Sequence, residues 1–467
     1  MPLISRAVEV STRSRSAANP WRTVWLALSI ALVCRAWTFG EDPLLSDNAD
    51  IIPGSYVETH WLDDLPVEQR PEKQRWQPTD SPKLRFRGRI DSDFNWASQS
   101  EKNEQLFGQL ADSDGLRRAR IGIEGEWTSN SRYLAEIDLA NGEVVLRDVH
   151  IGLGQVREQG EFRVGHFREP FSLEGGTSAN SFALMERSSI NQLDPARNWG
   201  VGYYRCTPDE NATFAIGVFH AGSDSSDFQN GPGSNTAITT RATMLPWYES
   251  DGRQLMHLGL AGSIRIPDDG LVVISQGPRS PLLDFADSST SPFVPRLRIP
   301  AHSQQLLNAQ WALVNGPFSM QAEWYGSLIN QVDGGHVFYH GSYLQTGYFL
   351  TGDHRSYHRE SGTFGAVSVS RPVLPKLSLH SQHAPRGAGA WELTARMGYL
   401  DFYDMDTPRG PLGQLVGVRL PQATFGVNWY LADRLRILLN YSLAVPDEPN
   451  AGSSTASVLS SRLALFW

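Results

Sequence analysis

From Lys83 onward the chain is written in stretches of about ten residues in which apolar and polar side chains take turns, each closed by a cluster of Gly, Asn, Asp or Pro. A period of two puts alternate residues on opposite faces of a strand, so such a chain must form sheets with one face in each of two environments. Apart from the N-terminus, no stretch approaches the roughly 20 apolar residues of a membrane helix. The mean hydropathy of -0.33 still permits a membrane barrel, because polar lumen residues dilute the lipid-facing ones. The net charge of -9 argues against nucleic acid as a partner, which wants clustered positive surface.

Two hairpins show the pattern in full. Ala309, Trp311 and Leu313 share one parity, Asn315, Gly316 and Pro317 turn the chain, and Phe318, Met320, Ala322 and Trp324 resume the apolar face. Asn308, Gln310, Ser319, Gln321 and Glu323 fall on the other face, which suits water. Phe425, Val427, Trp429 and Leu431 are likewise followed, across Ala432 and Asp433, by Leu435, Ile437, Leu439 and Tyr441, with Arg434, Arg436 and Asn440 opposite. Stretches such as 224–240 and 268–300 are long and polar. Short turns on one side and long loops on the other fit an outer-membrane barrel, whereas a soluble sandwich or propeller shares the alternation alone.

The two ends of the chain weigh on that choice. Arg6, Arg13, Arg15 and Arg22 precede the apolar run from Val24 to Val33, with small residues at Ala36 and Gly40, which reads as an export signal over 1–40 cleaved after one of those two. Cys34 gives a lipoprotein reading, disfavoured by the bulky Val33 before it. Cleavage leaves Cys206 as the one mature cysteine, hence no internal disulfide. Residues 41–82 are polar, carry six prolines and read as a flexible periplasmic segment, and 83–467 as one barrel domain. Leu459, Leu463, Leu465 and Trp467 share one parity, as a lipid-facing strand or an ordinary edge strand would; Leu463, Leu465 and the terminal aromatic resemble the signal read by the bacterial barrel-assembly machinery.

Several separated segments, among them Gly115-Leu-Arg-Arg-Ala-Arg-Ile-Gly-Ile-Glu-Gly125, Val164-Gly-His-Phe-Arg-Glu-Pro-Phe-Ser-Leu-Glu174, Met185-Glu-Arg-Ser188, Tyr343 to Gly352, Trp391 to Arg396 and Phe425 to Tyr430, resemble the phosphate-selective porin O and P family in their order along the chain. The resemblance implies an all-β, transmembrane antiparallel barrel of about sixteen strands, usually a homotrimer in outer-membrane lipid, with a third loop folded inward to narrow a water-filled pore. It implies passive diffusion of small polar solutes, with anions such as phosphate expected, and neither enzymatic turnover nor a cofactor.

Parity gives that pore a chemistry. Leu84, Phe86 and Ile90 face lipid, which gathers Lys83, Arg85, Arg87 and Arg89 in the lumen; Arg118 and Arg120 repeat the device on the next strand. Such a basic stripe would pass partly dehydrated anions by weak multi-site binding. Equally, Glu124, Glu136 and Asp138 share the lumen face and would pair with it. The segment from Phe167 to Arg197 resembles the inward loop, with Arg168, Glu169, Glu186, Arg187 and Arg197 as constriction candidates. Relatives often carry a basic residue after the Thr-Ser run and a second arginine after the one at 197; here Ala179, Asn180 and Asn198 stand instead, which weakens phosphate selectivity in favour of general diffusion.

Other functions find less support. His354, His358 and Glu360 mimic a metal-binding spacing without a helical period, so no metal is expected. The rival class is a secreted carbohydrate-active or carbohydrate-binding β-protein, with Trp247 and Trp391 as stacking platforms. A barrel plugged by its own loops is a third possibility.

Overall fold

The computed structural model describes residues 83–467 except 129, 143, 157–159, 222–234, 275–292, 295–296, 378–385 and 408–416. The expected signal peptide and the segment 41–82 lie outside the described residues, as do parts of 224–240 and 268–300. All described residues belong to one compact unit, Arg75–Trp467.

Sixteen antiparallel strands form it: β1 Lys83–Gln99, β2 Ser113–Thr128, β3 Ser131–Asp138, β4 Val145–Gln155, β5 Gly160–Arg168, β6 Arg197–Cys206, β7 Ala212–Ala221 and β8 Asn235–Glu249, then β9 Gln254–Pro267, β10 Leu297–Asn315, β11 Phe318–Gln331, β12 His336–Phe349, β13 Ala390–Asp401, β14 Arg419–Ala432, β15 Leu435–Ala444 and β16 Ala456–Phe466. Each pairs with the next, and β16 pairs with β1, with Arg89 opposite Phe466 and Gln99 opposite Ala456. The sheet therefore has no free long edge, the condition for standing in lipid without orphaned backbone groups. No helix among the described residues is long and apolar enough to cross a membrane.

The outer face is apolar as the alternation predicts. Leu84, Phe86, Ile121, Phe162, Val164, Ile264, Leu307, Leu344, Phe425 and Leu463 all stand exposed on it. Gly88 shares this face, and the Trp467 ring lies across it; a Cβ there would fall 2.2 Å from the ring, while the two backbones exchange hydrogen bonds of 3.0 and 3.1 Å. Gly88→Val should therefore cost roughly 1–3 kcal/mol, seen on gels as loss of the heat-resistant folded species at lower temperature.

The two rims differ. At one, Gly316 and Pro317 suffice between β10 and β11, and Asp433 and Arg434 between β14 and β15. The same rim bears the long connection from Leu350 to Gly389 between β12 and β13. There Trp391, a stacking platform in the carbohydrate reading, lies against Trp429 with ring centroids 5.0 Å apart, and both indole N–H groups donate to Ala388 O. Long connections leave the opposite rim, including residues 169–196 between β5 and β6.

The interior departs from a uniformly polar lumen. Toward the long-loop rim Leu297, Ile299, Val337, Tyr339, Leu400, Phe402 and Leu420 point inward and pack with Phe293 and Val294 into an apolar core. The register explains it in β10, whose 19 residues span roughly 60 Å, about twice a bilayer's hydrocarbon thickness. A bulge between Ala301 and Ser303 shifts its parity. Below the bulge Leu307 faces out and Asn308 in; above it Arg298 and His302 face out and Ile299 in, as in a water-soluble domain.

Candidate functional site

A cavity of about 600 Å³ runs along the β1 to β8 side of the barrel. Its lining holds twelve arginines and five carboxylates, although the whole chain carries a net -9. Inside a low-dielectric wall such an excess sets the local potential regardless of charges on the outer loops.

On β1 the side chains of Arg85, Arg87 and Arg89 step up the wall about 7 Å apart. The register sets Arg85 opposite Glu124, Arg87 opposite Gly122 and Arg89 opposite Arg120, while β3 adds Glu136 and Asp138 behind them. Arg87 meets Glu124 at 2.8 Å and Glu136 at 3.1 Å, Arg120 meets Asp138 at 2.8 Å, Arg89 meets Asp91 at 2.8 Å and Lys83 meets Glu126 at 2.8 Å. Arg87, Arg89 and Arg120 thus line the cavity and are each held by a carboxylate. Arg118 lies off the cavity, buried between Asp91 at 3.0 Å and Glu186 at 2.6 Å.

The connection 169–196 and the strand ends that flank it carry the other candidates. Arg168 bonds Asp194 at 2.6 Å and Arg197 bonds Asp148 at 2.8 Å, and both line the cavity. Arg187 lines it too, its guanidinium donating to the carbonyls of Glu174, Gly175 and Thr177 at 3.2 Å each and standing over the Phe182 ring. Glu169 is almost wholly buried on Arg265, Asn198 and Thr239. Glu186 is outside the lining, gripped by Arg118 and Arg462 at 2.6 Å each. Burial would raise its carboxyl, but Arg118, Arg117 and Arg462 hold it well below the usual range.

A stretch with so little regular structure needs partners for its buried backbone groups. The inward side chains of the later strands supply them. Glu323 accepts from the N–H groups of Leu173 and Glu174 at 3.0 and 2.7 Å, Gln310 donates to Phe171 O, Arg436 to Phe182 O, Asn428 to Ala183 O and Arg462 to Met185 O. Residues expected to face water, such as Gln310, Glu323 and Arg436, face this backbone instead. Polarity in the sequence marked them as not lipid-facing, without distinguishing water from peptide.

Four cavity-lining arginines escaped the sequence reading: Arg132 on β3, Arg163 on β5, Arg205 on β6 and Arg241 on β8. Arg163 had a signal, sitting between the lipid-facing Phe162 and Val164. It lies over the Tyr204 ring at 4.3 Å and bonds Glu161 at 2.8 Å. The connection from Leu350 also reaches the lumen: Arg355 donates to Gln321 and to Ser181 O at 2.9 Å each, and the N–H of Phe364 to Thr177 Oγ1 at 3.3 Å, tying the two connections together. His358 and Glu360 ride on it into the cavity lining. Among the described residues no three metal-ligating side chains come together.

Residues 84–463 match the model of the family described as phosphate-selective porin O and P. An uncharacterized protein of Caulobacter vibrioides is 28% identical over 341 residues, covering 70% of this chain, and the chain spans 62% of that protein's length. Porin O of Pseudomonas aeruginosa is 25% identical over 387 residues, 77% of this chain and 82% of its own. Among solved structures, OmpT of Vibrio cholerae, an outer membrane protein, superposes with a TM-score of 0.50 at 10% identity, over 84% of this chain and all of its own.

Proposed function

The chain belongs to the phosphate-selective porin O and P family and is an integral β-barrel of the outer membrane, and from that premise we propose that it conducts small anions, phosphate among them, by passive diffusion along the β1 to β8 wall. The observation that carries this reading is the arginine excess of the cavity lining in a chain of net negative charge. Guanidinium groups replace part of an oxyanion's hydration through paired hydrogen bonds. Because the carboxylates behind them share those donors, each station binds weakly, which lets an anion move on. The connection 169–196 narrows the path, with Arg168, Arg187 and Arg197 as its charged edge. As the resemblance implies, the working unit is a homotrimer, and Leu463, Leu465 and Trp467 serve the assembly machinery.

Planar-bilayer recordings test this directly. In a tenfold chloride gradient the reversal potential should carry the sign of anion preference, and millimolar phosphate should reduce chloride current by occupying the same stations. A cation-preferring potential would overturn the reading. The apolar core at the long-loop side favours one other reading, the self-plugged barrel, for which no unit conductance would appear at all.

A further inference from the structure

We propose that Arg241 is an anion-responsive latch on the turn that enters the lumen from the short-turn rim. The inference rests on the anion-conducting reading and adds a regulation to it. Residues Tyr357–His358 and Thr363–Phe364 pair as a small hairpin within the connection that starts at Leu350, and its turn comes to lie against β8. Arg241 Nη1 donates to Ser361 O at 2.9 Å and Nη2 to Gly362 O at 2.7 Å; Nε and Nη2 share Gln310 Oε1 at 3.2 and 2.9 Å.

Arg241 shares with Arg187, and not with the salt-bridged arginines of this wall, partners that are all neutral. Arg87, Arg120, Arg168 and Arg197, which line the same cavity, each touch a carboxylate within 3.1 Å. The hydrogen bonds of Arg241 all run to neutral oxygens, although its side chain is buried and borders the cavity. A buried guanidinium held by amide carbonyls alone has its donors satisfied and its charge uncompensated. An oxyanion arriving in the cavity is the stronger acceptor, since a charge-assisted bond is roughly twice as strong as a neutral one. One N–H cannot serve both, so the anion takes donors from Ser361 and Gly362.

Two of the turn's own hydrogen bonds, Gly362 N–H to His358 O at 2.9 Å and Ser361 Oγ with Thr363 Oγ1 at 2.8 Å, stay inside the hairpin. Gly362 sits at φ +63 with Thr243 Oγ1 2.7 Å from where a Cβ would be, so it rests on β8 by close approach and not by side-chain packing. Tyr357 remains bonded to His257 Nδ1 at 2.6 Å, and Arg359 to Asn211 Oδ1 at 3.0 Å, which anchors the flanks. The movement is therefore confined to residues 361–363, at the cavity edge. Anion occupancy widens the path there.

Amide hydrogen exchange on the full-length protein in detergent tests the latch, because the N–H groups of Gly362 and Gly365 are bonded to His358 O and Ser356 O at 2.9 Å each. Inorganic phosphate should speed exchange at Gly362 by about tenfold over chloride at matched ionic strength and leave Gly365, on the anchored flank, unchanged. Arg241→Gln should exchange fast in either salt, and so should Arg241→Lys, whose ammonium keeps the charge but lacks the planar fork that holds Ser361 O, Gly362 O and Gln310 Oε1 together. Phosphate-indifferent exchange in the unaltered protein overturns the latch even if the variants fail to fold. If the reversal potential of that preparation still shows anion preference, the conducting reading stands; a cation-preferring potential sinks both.

Discussion

Arg187→Glu is expected to move the cation-to-anion permeability ratio by about tenfold and to reverse the sign of the zero-current potential in a chloride gradient. The residue projects into the cavity from the connection between β5 and β6, and Arg168 and Arg197 beside it are each bonded to an aspartate. Arg187 is bonded to carbonyls, so its charge stands in excess there. Two unit charges about 7 Å apart at an effective dielectric of about 20 interact by roughly 2 kcal/mol. Water and salt in the lumen screen part of this, and about 1.4 kcal/mol corresponds to the tenfold figure. Arg187→Gln, which removes the charge and keeps a donor for the carbonyls, should fall midway. Arg253→Glu, on the rim and off the cavity lining, should leave the potential where it was. An unchanged potential in Arg187→Glu would remove this residue from the selectivity mechanism.

The largest stability loss is expected from Arg462→Met. This side chain is about 2% exposed; its Nε and Nη2 hold Asp93 at 2.6 Å, Nη2 also holds Glu186 at 2.6 Å, and Nη1 donates to Met185 O. It thereby fastens the connection 169–196 to the β16 and β1 wall at one point. Removing it leaves Asp93 and Glu186 buried with less compensation, a change that typically costs 3–5 kcal/mol. The folded species should lose its heat resistance on gels at clearly lower temperature, and single-channel records should become noisy as the connection works loose. Arg462→Met combined with Glu186→Gln should recover part of the loss, because one stranded charge is removed with its partner. Equal heat resistance in the single variant and the parent would mean that the network is dispensable.

How much of this was legible in the sequence depends on which solvent a residue meets. Lipid tolerates no polar side chain, so the faces of Leu84, Phe86, Trp311, Phe425 and Leu463 were readable from parity alone, and the sixteen-strand barrel inherited from the family resemblance is the one found. The inward side of Arg85, Arg87 and Arg89 on β1 was readable for the same reason. Polar inward residues were ambiguous: Gln310, Glu323 and Arg436 satisfy peptide groups of a folded-in segment, and nothing local to them distinguishes that task from facing water. The connection from Leu350 gave no period to read, and only its contacts with Thr177, Ser181 and Arg241 show where it goes. The inward apolar residues above the bulge in β10 were hidden by the bulge itself, which changes parity without changing composition.

That surplus residue makes β10 a strand of two dialects. Its lower part obeys the grammar of a bilayer, with oil outside and polar groups within; its upper part obeys that of an ordinary globular protein, and the switch between them is a matter of count and not of chemistry. A substitution near 302 leaves both parts correctly addressed. Deleting one residue there would send Ile299 and Leu297 out into water and Arg298 into the apolar core, so at this position the number of residues matters more than which residues they are.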